Sequence, residues 1–292
     1  MLKIAMLGAD SSHTEAYAEL MNIPDSPFYG RAKVVSLWGE DQDQARQKAR
    51  QTNIESVAKT PEAALQDVDL VMVESRYGED HYPLAKLAIE AGIPTFIDKP
   101  ITNSLQEAQS LADLAKTKQV PLFSCSPLRY AVEVLALQQH PDFSSTWRSG
   151  NIAGLAAYPP LGERANNIYF YGVHMIELLV TIFGRGVVGL QYAKGKHTDV
   201  VIVQYEDART VTINLLRDTK EIYHVACFVE QRTLLAEINA WGDFYIRTLE
   251  QILTFGETKR SPIPFTETLE IMRILDAIDH AKGHNDTWIP LD

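Results

Sequence analysis

The chain predicts an α/β protein in two parts. Residues 1–124 read as an N-terminal doubly wound parallel sheet, and 125–292 as a C-terminal α+β domain with a mainly antiparallel sheet. Three observations carry this. Short apolar runs alternate with helical stretches as far as residue 124. Beyond it the rhythm changes to runs rich in valine, threonine and aromatics. Between the two lies Thr95-Phe96-Ile97-Asp98-Lys99-Pro100-Ile101-Thr102, where a buried strand empties into an acid, a lysine and a proline. Open parallel sheets bind ligands at such carboxyl ends.

Residues 2–7 are almost wholly apolar, as in a central parallel strand covered on both faces. Gly8-Ala9-Asp10-Ser11-Ser12-His13 follows, where a dinucleotide-binding unit has G-x-G-x-x-G. Only the first glycine is present. Asp10, Ser11 and Ser12 are good N-cap residues for a helix through about Met21, and their N–H and hydroxyl groups can also hold a phosphate, although the Asp10 carboxylate would repel one. The strand Lys33–Trp38 leads into Gly39-Glu40-Asp41 and a helix from about Asp43 to Thr52. Glu40 or Asp41 either binds ribose hydroxyls, which favours NAD over NADP, or serves as a helix N-terminal acid. Thr60-Pro61-Glu62 starts a short helix.

The strand Asp69–Val73 then ends in the polar loop from Glu74 to His81, ahead of a helix to about Ala91. Gly92 closes that helix and Pro94 enters the strand that ends at Asp98. Pro100 stops the strand and keeps Lys99 extended. Ser104 caps a helix over Leu105–Lys118, and Val120–Ser124 is a further strand. The first domain is therefore Rossmann-like.

In the second domain Pro127–His140 reads as helical, with Arg129 near its start, and Trp147–Tyr158 as a strand ending at Pro159-Pro160. A polar loop covers Leu161–Asn167, and Tyr169–Leu179 opens a helix running to about Phe183. Five runs follow, Val187–Ala193, Asp199–Tyr205, Arg209–Leu215, Ile222–Val229 and Thr233–Ile238, and their spacing predicts an antiparallel meander. Two helices, about Gly242–Phe255 and Thr266–Lys282, close the chain, and Leu269, Met272, Leu275 and Ile278 form a core stripe on the second.

The 46% hydrophobic and 22% charged content is that of an ordinary globular protein of 292 residues. A formal charge of −11 argues against a nucleic-acid or anionic-membrane surface. The first residues show no signal-peptide layout, and no apolar run is long enough to span a bilayer, so a cytoplasmic location is the expectation. Cys125 and Cys227 stand far apart in apolar contexts and read as buried free thiols. No Cys/His cluster has zinc spacing, and no structural metal is expected.

The segment "AGIPTFIDKPIT" is similar to A-G-k-x-V-x-x-E-K-P of the glucose-fructose oxidoreductase and inositol dehydrogenase family (Gfo/Idh/MocA), with Asp98 in the glutamate place. Ser75-Arg76-Tyr77-Gly78-Glu79-Asp80-His81 resembles that family's T-P-x-x-x-x-H cofactor loop, with Arg76 in the proline place. "GVHMIELL" resembles the helix G-x-H-x-x-D-x-x that supplies the family's catalytic histidine, here His174. The resemblance covers nearly the whole chain. It departs in the first loop, in the displaced acid after the second strand, and at Phe170, which stands where the family's D-x-x-x-H aspartate lies, so that Tyr171 or Glu177 would have to take over that aspartate's proton-handling role. A "YGxHxxE" helix of this kind marks a divergent subgroup.

The resemblance implies a Rossmann domain, a large open sheet that forms an oligomer face in a dimer or tetramer, and a nicotinamide cofactor, NAD or NADP. It also implies that Lys99 and His174 flank a substrate carbinol while hydride passes. Cofactor contacts are expected from Gly8, Asp10, Ser11, Ser12, His13, Glu40, Ser75, Arg76, His81, Asp98 and Lys99. His174 suits the base and Lys99 the cation that steadies an alkoxide. Tyr171 is either a substrate hydroxyl donor or packing, and Arg129 either binds a substrate carboxylate or pairs with an acid. Glu177 either orients His174 or forms a buried ion pair, His13 caps or packs, and His81 lies near the cofactor or away from it. The expected function is a NAD(P)-dependent oxidoreductase acting on a sugar, polyol or related hydroxy compound. Two other readings stay open: elimination or glycoside cleavage with transient oxidation, and a non-catalytic sensor that kept the fold.

Overall fold

The computed structural model describes residues 1–143, 147–157, 162–217, 219–239, 242–284 and 287–291. The chain divides into two units, Met1–Cys125 with Tyr245–Thr268, and Ser126–Phe244 with Leu269–Asp292.

In the first unit six parallel strands are ordered β3-β2-β1-β4-β5-β6. They are β1 Leu2–Leu7, β2 Ala32–Trp38, β3 Ser56–Val57, β4 Leu70–Val73, β5 Thr95–Ile97 and β6 Leu122–Ser124. The central β1 buries Ile4, Ala5, Met6 and Leu7 completely, which is why its sequence does not alternate. The connecting helices are α1 Ser12–Asn22, α2 Gln42–Gln51, α3 Pro61–Ala64, α4 His81–Glu90 and α5 Leu105–Lys118. Ser11, Asp41, Thr60 and Ser104 cap α1, α2, α3 and α5 through their side-chain oxygens. The strand order reverses between β1 and β4, so the crossovers on either side diverge and open a crevice at their carboxyl ends.

One late segment differs from the expected 125–292 domain. Residues 245–268, most of α8 Asp243–Thr258, pack with the first unit. Phe255 stacks edge-on against Phe123 at 4.8 Å, and Arg31 binds both Glu250 and Glu257. A Cβ at Gly256 would stand 2.6 Å from Leu2 and 3.2 Å from Leu70, so glycine lets the helix approach the sheet.

In the second unit seven strands are ordered β12-β11-β7-β10-β9-β8-β13. They are β7 Ser149–Ala157, β8 Val187–Ala193, β9 Thr198–Tyr205, β10 Thr210–Arg217, β11 Tyr223–Phe228, β12 Thr233–Glu237 and β13 Trp288–Pro290. The expected meander holds for β8-β9-β10 and for β11-β12. It is broken in the middle, where β7 inserts parallel to β10 and antiparallel to β11. Tight packing over two glycines of β7 makes it a central strand. Phe183 covers Gly150, while Tyr223 and Met175 cover Gly154, each close enough to exclude a Cβ. Tyr158, Pro159, Pro160 and Leu161, where the sequence reading ends the strand and begins the loop, fall outside the described residues.

The expected first helix of this unit is split into a 3-10 turn Pro127–Tyr130 and α6 Val132–Gln138. A π-helical turn, Ile168–Gly172, precedes α7 Val173–Phe183, and Asn167 Oδ1 caps it by accepting from Tyr169 and Phe170 N–H. Such turns recur where a helix carries function. The last helix, α9, spans Phe265–Ala281. Cys125 and Cys227 are buried and not disulfide-bonded, and among the described residues no helix is long and apolar enough to cross a membrane.

Candidate active site

The crevice of the first unit begins at Gly8. Its φ of +117° suits glycine, and a Cβ there would lie 2.3 Å from the Ser75 backbone nitrogen. Gly8→Ala is expected to push the ends of β1 and β4 apart and to weaken dinucleotide binding at least tenfold, read as NADH fluorescence. Asp10 and Arg76, two departures from the family pattern, offset one another. The Asp10 carboxylate accepts the Arg76 backbone N–H at 3.1 Å, and the Arg76 guanidinium donates to the Asp10 carbonyl at 2.7 and 2.9 Å. The acid is thereby turned towards the loop after β4.

Ser11 spends its hydroxyl on the His13 N–H, and Ser12 is exposed. Lys48 of α2 donates its ammonium to the Ser11 carbonyl, and burial holds its pKa down. This places a cation beside the loop that sequence reasoning missed. Gly8, Ala9, Asp10 and Ser75 line one part of a cavity of about 460 Å³, with Trp38, Glu40, Asp41, Gln44, Glu79, Asp80, Pro83 and Leu84. Five of these residues are acids and none is basic.

Deeper in the same unit, Asp98 and Lys99 stand at the end of β5, both buried, and the Lys99–Pro100 peptide is cis. Asp98 Oδ2 lies 2.7 Å from His13 Nδ1. Burial alone would raise the Asp98 pKa, but His13, then Lys99 and His81, hold it below the usual carboxylate range. His13 also meets the rings of Tyr17 and Tyr245 edge-on, at 6.1 and 5.1 Å. Glu74, fully buried at the end of β4, was read only as part of a polar loop. Burial first, and the Asp98 charge second, hold its carboxyl well above the usual range, against the pull of Lys99. Its signal was available, since an acid directly after an apolar strand is the pattern that marked Asp98.

His81 is corrected as a cofactor group. It is fully buried, and both ring nitrogens lie 2.7 Å from backbone carbonyls, those of Pro100 and Ser75. The ring clamps two loops together and has no polar atom left for a ligand.

The second unit holds its own cluster. His174, buried on the first turn of α7, has Nδ1 2.7 Å from Ser126 Oγ, and that oxygen also accepts the Leu128 N–H at 3.2 Å. Ser126 was missed because it contacts α7 only through the fold. Tyr171 and Tyr223 flank His174, with ring centroids at 5.9 and 5.3 Å. Of the alternatives left open for Arg129 and Glu177, the ion pair is present: Arg129 Nε donates to Glu177 Oε1 at 2.5 Å, with Glu177 buried and Arg129 partly so. Glu177 thus has Arg129 as one partner, and Ser126 Oγ holds His174 Nδ1.

A 3-2-1-4-5-6 parallel sheet with a glycine loop at its switch point defines a Rossmann-type dinucleotide-binding protein with an appended sheet unit. Residues 2–125 match the Gfo/Idh/MocA family model, described as an oxidoreductase family with an NAD-binding Rossmann fold. The match covers the first unit's parallel sheet, whose fold is that of an NAD-binding Rossmann domain.

The chain is 28% identical to the dehydrogenase aclE of Aspergillus oryzae over 165 residues, 53% of this chain and 42% of that protein. It is also 28% identical to the oxidoreductase YhhX of Escherichia coli over 129 residues, 41% of this chain and 36% of the other. The matches thus span about 42% and 36% of these curated relatives' lengths. The fold matches a myo-inositol dehydrogenase from Lactobacillus casei in complex with NAD(H) and myo-inositol, with TM-score 0.85, 13% identity and coverage of 100% of this chain and 97% of that one. It also matches UDP-N-acetylglucosamine 3-dehydrogenase from Acidithiobacillus ferrooxidans, with TM-score 0.81, 15% identity and coverage of 96% and 97%.

Proposed function

We propose that this protein is a NAD(H)-dependent oxidoreductase acting on a CH–OH group of a sugar, polyol or related hydroxy compound. The observation that carries the reading is the glycine loop at the β1/β4 switch point, opening onto a cavity of about 460 Å³. The N-terminus of the eleven-residue α1 would hold the pyrophosphate, and Glu40 or Asp41 the ribose hydroxyls. Five acids with no basic residue around the cavity favour NAD, because a 2′-phosphate would meet like charge. The bound cofactor supplies the hydride acceptor.

His174 is the base for the hydroxyl proton. That role needs the tautomer in which Nδ1–H donates to Ser126 Oγ, so that Nε2 is the nitrogen that takes the proton. Lys99 donates to the oxygen that gains charge. Arg129 and Glu177 hold the start of the second unit against α7, and Tyr171 packs beside His174. The same proposal includes a cytoplasmic homo-oligomer.

The test is a titration of the purified protein with NADH and NADPH, following nicotinamide fluorescence and melting temperature together. NADH is expected to bind at micromolar concentration and to raise the melting temperature by mass action, with NADPH at least tenfold weaker. A panel of polyols and sugars then reports net NADH formation. Dinucleotide held tightly without net turnover of any of them would point to elimination through transient oxidation, and no binding of either nucleotide at millimolar concentration would overturn the reading.

A further inference from the structure

We propose that His13, Glu74 and Asp98 form a binding site for a divalent first-row transition-metal ion, a site that does not depend on the dinucleotide reading. The three residues come from the start of α1, the end of β4 and the end of β5, and the parallel sheet brings them to one edge. Each offers one ligand atom, an imidazole nitrogen or a carboxylate oxygen, and these atoms all lie within 4.8 Å of one another. A cation bound at roughly 2.1 Å sets neighbouring ligand atoms about 3 Å apart and opposite ones about 4.2 Å apart. The 2.7 Å separation of His13 Nδ1 and Asp98 Oδ2 fits the first of these spacings.

The independent observation is Glu74. It is fully buried, and neither of its carboxylate oxygens has a hydrogen-bond partner among the described residues. Asp98 Oδ1 is in the same condition, so three buried acceptor atoms of the cluster lack donors. Buried polar atoms are normally satisfied, and leaving one bare costs about 1–3 kcal/mol. A cation at the centre of the cluster meets the oxygens that no side chain meets. One imidazole and two carboxylates, with no thiolate, suit Mn²⁺, Fe²⁺, Co²⁺ or Zn²⁺ better than a soft monovalent ion or calcium. Lys99 faces Glu74 and Asp98 and opposes the cation; binding the ion releases the proton of the buried Glu74 carboxyl, and two carboxylates then outweigh one ammonium. A bound ion would tie β4, β5 and α1 together at the edge where the proposed chemistry takes place.

The probe is Mn²⁺, titrated into the chelator-treated full chain and followed by loss of the free-ion electron paramagnetic resonance signal and by melting temperature. One ion per chain at micromolar concentration is expected, with a raised melting temperature, and Glu74→Gln should weaken binding at least a hundredfold. The exposed, stacked His280 and His284, with ring centroids 4.9 Å apart, are the competing surface site. Undiminished binding in Glu74→Gln would assign the ion to them and overturn the proposal. If that variant fails to fold, pulsed resonance on a His280→Gln/His284→Gln chain decides: nitrogen coupling from one imidazole supports the site, and its absence overturns it. No stoichiometric binding up to millimolar Mn²⁺ also overturns it, leaving a proton or water on the two carboxyls.

Discussion

His174→Ala is expected to lower turnover by about a hundred- to ten-thousand-fold, the usual contribution of a positioned general base, while leaving the fold and NADH affinity in place. The imidazole is buried and held through Nδ1 by Ser126, which fixes the orientation of the ring. Alanine removes the base, and exogenous imidazole should restore part of the rate. Ser126→Ala keeps the ring but frees its tautomer, so a loss of about tenfold in kcat with KM little changed marks Ser126 as a positioning residue. Lys99→Ala should cost about a hundred- to a thousandfold in kcat, the cost of losing one donor to a developing oxyanion. Near-normal rates in both His174→Ala and Lys99→Ala, measured with a substrate found in the polyol panel, would remove these residues from the chemistry.

Arg129→Met is expected to destabilise the second unit by about 3–5 kcal/mol, because it strands the Glu177 carboxylate in the interior. Arg129 and Glu177 are 11% and 3% exposed and 2.5 Å apart, so losing the guanidinium takes a close counter-charge from a desolvated carboxylate. For a unit of this size that loss lowers the melting temperature by roughly 10 °C. Combining it with Glu177→Leu should restore much of the stability, since the desolvated carboxylate is then removed together with its counter-charge. Thermal melts of the two singles and the double decide it. An Arg129 variant as stable as the parent, with a raised KM, would instead return the guanidinium to substrate binding.

The pattern along the chain was enough for the first sheet. Strands and helices alternate, caps at Ser11, Asp41, Thr60 and Ser104 mark four helix starts, and Pro100 stops β5, all of them local preferences of backbone and side chain. Gly8 and Lys99 stood out in the sequence as a glycine after a buried strand and a cation at a strand end.

What the chain could not show was which distant residues share an environment. The insertion of β7 beside β10 depends on Phe183, Tyr223 and Met175 packing over Gly150 and Gly154, a choice made by long-range contacts and not by strand propensity. The return of residues 245–268 to the first unit rests likewise on Gly256 meeting Leu2 and Leu70. At the sites, pairing decided the roles. Glu177 met Arg129, Ser126 met His174, and Asp10 turned to Arg76. Apart from the short strands Ser56–Val57 and Trp288–Pro290, the sequence by itself determined most of the elements, and with them the residue types at the strand ends. Only the tertiary structure decided which of those polar groups are spent on one another, because a buried charge or donor takes whichever partner the packing brings within reach.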